Sequence, residues 1–226
     1  MTVVVTGATG GIGSAMVRRF ADRGDDVVAV ARPTEALDAL CADVPSAVPA
    51  PLDLERPGGL PAALCDLREV EVLVHAAGIA DVASVTDTPH DLWQRTMAIN
   101  VTGPAELTRA LLPALRAARG RVVFINAVAG LHGVARWSAY AASKAALTEL
   151  ADSLRLEEAA HGVRVTSVYP GGIATELLRT VRGAFGRPYD PAALVSPESL
   201  AETVCAIVDA PLDIDVTDIS VQPPPR

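Results

Sequence analysis

Apolar residues in this chain fall into short runs separated by stretches in which they recur every three or four positions, the pattern of strands alternating with helices. Thr2 to Thr6 is a β-branched run, Gly7-Ala8-Thr9-Gly10-Gly11-Ile12-Gly13 interrupts it, and from Ser14 to Arg23 apolar positions return at helical spacing. Asp26 to Ala31 is then a nearly unbroken apolar run, as expected of a strand covered on both faces. Further strands are predicted over Ala47–Leu52, Val70–His75, Arg121–Asn126, Arg164–Tyr169 and Val216–Val221. Further helices are predicted over Glu35–Ala42, Leu60–Leu67, Asp91–Ala118, Ser138–His161 and Glu198–Val208. Seven strands alternating with six helices require right-handed parallel crossovers, hence an α/β, doubly wound three-layer sandwich around a seven-stranded parallel sheet. No linker or repeat divides residues 1–226, which read as one domain. Residues 171–197 form the longest stretch without a clear period, and such lengths in compact domains are functional or mobile, so a lid is expected there. The terminal Gln222-Pro223-Pro224-Pro225-Arg226 cannot continue a ladder.

Composition narrows the partners. Half of the 226 residues are hydrophobic and the mean hydropathy is +0.31, ample for a continuous core. A formal net charge of -8 leaves no basic surplus for nucleic-acid phosphates or anionic lipid. Cys41, Cys65 and Cys205 lie far apart, in neither metal-ligand nor disulfide spacing, so buried thiols in a reducing compartment are expected and metal is not. The chain enters a strand directly, without a leader pattern, and no apolar run reaches the ~20 residues of a membrane span. It reads as cytoplasmic.

Two stretches carry chemistry. Tyr140 and Lys144 stand one turn apart on one helix face, and an adjacent ammonium favours the phenolate, drawing a phenol toward physiological pH. Gly7, Gly11 and Gly13 follow the first strand and open the first helix, the context in which backbone amides meet a pyrophosphate. Glycines at 7, 10 and 13 satisfy a second spacing, so the loop alone does not separate two branches of nucleotide-binding enzymes.

Together, Thr6-Gly7 with Gly11-Ile12-Gly13 and Tyr140 with Lys144 resemble the short-chain dehydrogenase/reductase family, and the resemblance spans nearly the whole chain. Asp53-Leu54, Ala77-Gly78, Asn100 and Pro170-Gly171 follow in the family's order, and the chain is short enough to match its compact single-domain branch, a Rossmann-type fold. The resemblance implies an oxidoreductase passing hydride between nicotinamide and a ketone or secondary alcohol. Tyr140 would transfer the proton, Lys144 would bind the nicotinamide ribose and lower the phenol's pKa, and Asn100 would hold a relay water. Gly7, Thr9, Gly11, Ile12, Gly13, Asp53, Leu54, Ala77, Gly78, Pro170, Gly171, Ile173 and Thr175 would complete the cofactor site, with Asp53 on the adenine amino group. Asp53 can also be read as a helix cap, and Asn100 as a local kink.

There are two departures. His75-Ala76-Ala77-Gly78 stands where the family carries two asparagines before Ala-Gly, which removes a structural amide; His75 reads as a strand-end histidine rather than a base or ligand. Thirteen residues before Tyr140, where the family has a serine on the substrate oxygen, the chain has Ala127, and neither Ser138 nor Ser143 takes its position. An engineered knockout, a natural enzyme with another donor, and a protein that binds without chemistry remain open. A weakened or engineered dehydrogenase is favoured, and the rival is a dinucleotide-binding sensor or scaffold.

Arg32 ends the second strand where NAD-preferring proteins place an acid, so NADP(H) is expected ahead of NAD(H). The substrate pocket is expected between Ala127 to Ala129, Val128 included, Trp137, Tyr140 and the lid from Gly171. Few charges lie there, which favours an apolar carbonyl or alcohol, although Arg179, Arg182 and Arg187 could reach an anion. The resemblance also implies a homodimer or homotetramer paired through the two long helices.

Overall fold

The layering follows from alternation within the first strand, β1 (Thr2–Thr6). Val3 and Val5 turn to one face of the sheet and Val4 to the other, and all three are fully buried, so both faces must be covered. The computed structural model, which describes residues 1–56, 59–128, 133–211 and 213–225, meets that demand. β2 (Asp26–Ala31), β3 (Ala47–Pro51), β4 (Val72–His75), β5 (Arg121–Ile125), β6 (Arg164–Pro170) and β7 (Asp218–Val221) join β1 in one sheet, ordered β3-β2-β1-β4-β5-β6-β7. Every pairing is parallel. The order reverses between β1 and β4, the switch point at which such sheets open a ligand crevice at the carboxyl ends of their strands.

On one face, Met16, Val17 and Phe20 of α1 (Gly11–Asp22) and Leu200, Val204 and Ile207 of α8 (Pro197–Val208) share a cluster with Val3, Val5 and Val27. On the other, Leu107 and Leu111 of α5 (Gly103–Ala118) and Leu147 and Leu154 of α6 (Ser138–Glu158) pack with Val4, Val28 and Phe124. Arg116 of α5 donates to buried Glu158 of α6 through Nε and Nη2 at 2.8 and 2.7 Å, and this hydrogen bonding holds the Glu158 carboxyl below the usual carboxylate range. α2 (Glu35–Asp43) buries Leu37 and Leu40 in the first cluster, and the short α3 (Ala62–Cys65) buries Leu64 in the second.

Several expectations need correcting. The helix expected from Asp91 to Ala118 is α4 (His90–Met97) and α5 separated by a π turn over Ala98–Thr102, in which Asn100 sits at the centre. The stretch expected to be without periodic structure contains α7 (Glu176–Ala184). Leu177, Leu178, Val181 and Ala184 recur at helical spacing, a short apolar stripe that the expectation of a loop passed over, and the start of α7 is fixed locally by the Thr175 hydroxyl, which accepts from the Leu178 amide at 3.3 Å. The expected helix over Leu60–Leu67 contracts to α3, and β4 and β7 each begin two residues late. The cysteines are free, but only Cys205 is buried; Cys41 is half-buried and Cys65 exposed. Among the described residues no helix is long and apolar enough to cross a membrane.

Candidate active site

The strand-loop-helix at β1 is shaped by close backbone contact. Gly7 has φ 66°, and a Cβ there would lie 2.7 Å from the Ala77 backbone nitrogen; one at Gly13 would overlap the Gly7 carbonyl. The N-cap of α1, Gly10, offers no side-chain cap, which leaves the first-turn amides available to an anion. Beyond the loop lies a cleft of about 240 Å³. Gly7, Thr9, Arg32, Asp53, Leu54, Ala77 and Gly78 line it, so seven of the expected cofactor residues meet in one cavity. Asp53 is not a helix cap: its Oδ1 accepts from the Glu55 amide at 3.0 Å, closing a turn two residues long, and no helix follows at once. Gly10, Glu55, Ile79, Arg95 and Ile99 also line the cleft and were not expected. Arg95 and Ile99 stand four residues apart in a helical segment beside Asn100, and nothing in their spacing says which side of that segment meets the cleft.

The remaining expected residues lie along the loop and at the carboxyl end of β6. Thr175 rests against Gly11, where an added Cβ would be 2.9 Å from its Cγ2. Ile12 and Ile173 turn their side chains into the core, which leaves their backbone for any ligand contact. Pro170 ends β6, and the Gly171 amide donates to Val221 O at 2.8 Å.

At the other end stand Tyr140 and Lys144 on α6. Lys144 is buried, its Nζ donates to Ile125 O at 2.9 Å, and it lies 5.9 Å from the centre of the Tyr140 ring. Burial pushes the Tyr140 phenol up to about 12 and the Lys144 ammonium down to about 8. The expected lowering of the phenol by its neighbour is therefore not seen in the protein alone. Desolvation outweighs it, because the ammonium reaches the ring from nearly 6 Å and makes its hydrogen bond to the backbone. Asn100 is both a kink and a buried amide: Oδ1 accepts from Ile79 N at 2.9 Å, while Nδ2 donates to Ile79 O at 2.9 Å and Ser143 Oγ at 3.0 Å. A Cβ on Gly78 would lie 3.4 Å from Asn100 Oδ1 and 4.0 Å from Lys144 Nζ, so the floor of the cleft and the polar cluster adjoin.

Ala127 is held by its amide, which donates to Asn126 Oδ1 at 2.9 Å, and its methyl offers no hydrogen bond. Neither nearby serine replaces a donor there. Ser143 donates to Tyr140 O at 2.7 Å, and Ser138 Oγ is buried with no partner among the described residues. Val128 is partly exposed, and Ala129 lies outside the described residues. Trp137 stacks on Tyr140 at 4.4 Å and meets Phe185, just past α7, edge-on at 5.7 Å, a contact between site and lid that the sequence did not reveal. Of the lid cations, Arg179 pairs with Glu176, Arg182 donates to Pro188 O at 3.0 Å, and Arg187 lies 5.5 Å from the Phe185 ring.

His75 is fully desolvated, which holds it near pKa 3 and hence neutral; Nε2 lies 2.9 Å from Thr108 Oγ1, and the ring stacks on Phe124. It thus ties β4 to α5, while the Thr6 hydroxyl accepts from Ala76 N at 3.2 Å and Ala77 N at 3.3 Å. These contacts supply strand ties where the missing asparagine amide would have stood.

The profile of the family described as short chain dehydrogenase matches residues 1–184. The chain is 34% identical, over an alignment of 240 residues, to the dehydrogenase/reductase SDR family protein 7-like of Drosophila melanogaster, covering 97% of this chain and 73% of that one. It is 31% identical to serine 3-dehydrogenase of Rhizobium radiobacter, covering 98% and 93%. The closed form of a serine dehydrogenase complexed with NADP+ superposes with TM-score 0.85 at 26% identity, over 99% of this chain and 95% of that one.

Proposed function

The chain belongs to the short-chain dehydrogenase/reductase family, and on that premise we propose that it is an NADP(H)-dependent oxidoreductase interconverting a ketone and a secondary alcohol, slowed by Ala127. One observation carries the reading: a phenol kept protonated by burial lies beside a buried ammonium, next to a cleft floored by Gly78. The residues present suit a dinucleotide. A close-packed glycine cradle precedes uncapped amides, Arg32 offers a guanidinium for a 2'-phosphate, and Asp53 has one carboxylate oxygen without a hydrogen bond among the described residues, which suits the adenine amino group. The structural relative bound to NADP+ supports the same choice.

When bound, the nicotinamide supplies or accepts hydride; the rest of the reaction falls to side chains. In reduction Tyr140 gives its proton to the substrate oxygen, and the Lys144 ammonium stabilises the phenolate left behind. Asn100 fixes Ile79 and, through Ser143, the turn of α6 that carries Tyr140. Ala127 gives nothing to the developing oxyanion, and the reacting end of the substrate would meet the apolar surfaces of Ala127, Val128 and Trp137. Leu156, 81% exposed on α6, supports pairing of the long helices in a dimer or tetramer.

Restoring the hydroxyl tests the reading. A positioned donor to an oxyanion contributes about 10²–10³ in rate, so Ala127→Ser should turn over apolar ketones with NADPH faster by about that factor, with cofactor affinity unchanged. A serine form that binds NADPH but is no faster would instead support the sensor or scaffold.

A further inference from the structure

The adenosine end of the cleft holds a second cation that the reading above leaves without a task. Arg95, near the end of α4, lines the same cavity as Arg32, Asp53 and Leu54. Its ion-pair partner is Glu55, another lining residue, and the contact is loose: Arg95 Nε lies 3.5 Å from Glu55 Oε2, with the side chains 44% and 31% exposed. The pair therefore ties the turn after β3 to α4 on a cavity wall that Leu54 also lines. A half-exposed pair at this separation adds little to folding, so stability does not account for two opposite charges on one ligand cavity.

Which part of a dinucleotide Arg95 meets follows from its tether. Glu55 belongs to the turn closed on Asp53, the side of the cleft assigned to the adenine amino group, whereas Arg32 extends from β2. One turn beyond Arg95, Ile99 adds an apolar surface to the same wall. A planar guanidinium beside Leu54 and Ile99 is suited to the π face of a purine.

We propose that Arg95 is an adenine-binding residue, that its guanidinium packs on the base, and that Glu55 positions it. The inference rests on the dinucleotide reading. It assigns Arg95 to the base, shared by NADPH and NADH, and leaves discrimination of the 2'-phosphate to Arg32.

The test is calorimetric titration of NADPH, NADH and nicotinamide mononucleotide, which lacks adenine, into the unmodified protein, Arg95→Ala, Arg95→Lys and Glu55→Gln. Arg95→Ala should weaken NADPH and NADH by the same factor, about three- to thirtyfold, the range of a cation on an aromatic face. Mononucleotide affinity should not change. Arg95→Lys should keep part of the affinity, and Glu55→Gln should lose less than Arg95→Ala. An unchanged NADPH constant in Arg95→Ala overturns the proposal, and so does a loss confined to NADPH, which would move Arg95 to the phosphate. Equal melting temperatures without ligand exclude misfolding as the cause. Failure of the unmodified protein to bind any dinucleotide would be a separate outcome and would overturn the underlying reading.

Discussion

The two ends of the cleft are built on opposite principles. At the proposed adenosine end Arg32 and Arg95 are exposed and line one cavity with Asp53 and Glu55, the last paired with Arg95. At the proposed nicotinamide end Lys144 and Asn100 are withdrawn from water and Tyr140 is half-buried, and desolvation raises the phenol and lowers the ammonium. Exposed charges act by position, which on the proposed reading selects a ligand. Buried groups have shifted proton affinities, so they can do acid-base work. Substitutions at one end should therefore move binding with little effect on chemistry, and substitutions at the other should do the reverse.

The largest separation is expected from Tyr140→Phe. General acid catalysis contributes about 10²–10⁴ in rate, so residual turnover should fall at least a hundredfold, while the NADPH dissociation constant changes little. Lys144→Ala should break the comparison in part, weakening cofactor binding as well as turnover, because on the proposed reading the ammonium serves both the ribose and the phenolate. Retained turnover in Tyr140→Phe would refute the assignment of the acid.

A smaller effect is expected from Arg32→Ala. Loss of an exposed guanidinium-phosphate contact should weaken NADPH about tenfold and NADH hardly at all, with turnover at saturating NADPH unchanged. Equal dissociation constants for the two cofactors, or an unaltered ratio in the variant, would sink the assignment of the 2'-phosphate.

The adenosine end was largely legible in the sequence because its parts are tied to strand ends. Gly7, Arg32, Asp53 and Ala77 each follow a strand whose apolar run marks where it stops, and a parallel sheet brings those ends together. Arg95 was not legible, since it comes from a helix whose phase relative to the cleft depends on tertiary packing. The catalytic end was legible as residues but not as energetics. Tyr140 and Lys144 are visible at their spacing, yet the direction in which the phenol moves is set by burial that no spacing reveals. The same holds for the π turn at Asn100, where a side-chain amide grips Ile79, whereas α7 was legible in the apolar stripe of Leu177, Leu178 and Val181 and in its Thr175 cap.

The last expected difference is in pH, and it sharpens the comparison because the two ends should respond differently. Lys144 is held near 8, against 10.5 in its ordinary state, so it is charged below about pH 8 and neutral above. Ketone reduction needs the phenol protonated, which burial guarantees at pH 7–9.5, and the ammonium charged. The rate of Ala127→Ser should therefore be flat below about 8 and fall above it, approaching tenfold per unit. Unfolding cannot imitate that limb through these groups. Between about 8 and 10.5 the unfolded chain binds more protons at Lys144 than the folded one, so this residue makes stability rise with pH, and Tyr140 opposes it only above about 10. At the adenosine end a guanidinium remains charged throughout, so binding of 2',5'-ADP, which lacks the nicotinamide half, should be constant from pH 7 to 9.5. Measuring both profiles on one preparation decides the matter: a rate flat to pH 9.5, or one that falls in step with the melting temperature, would remove Lys144 as the titrating group.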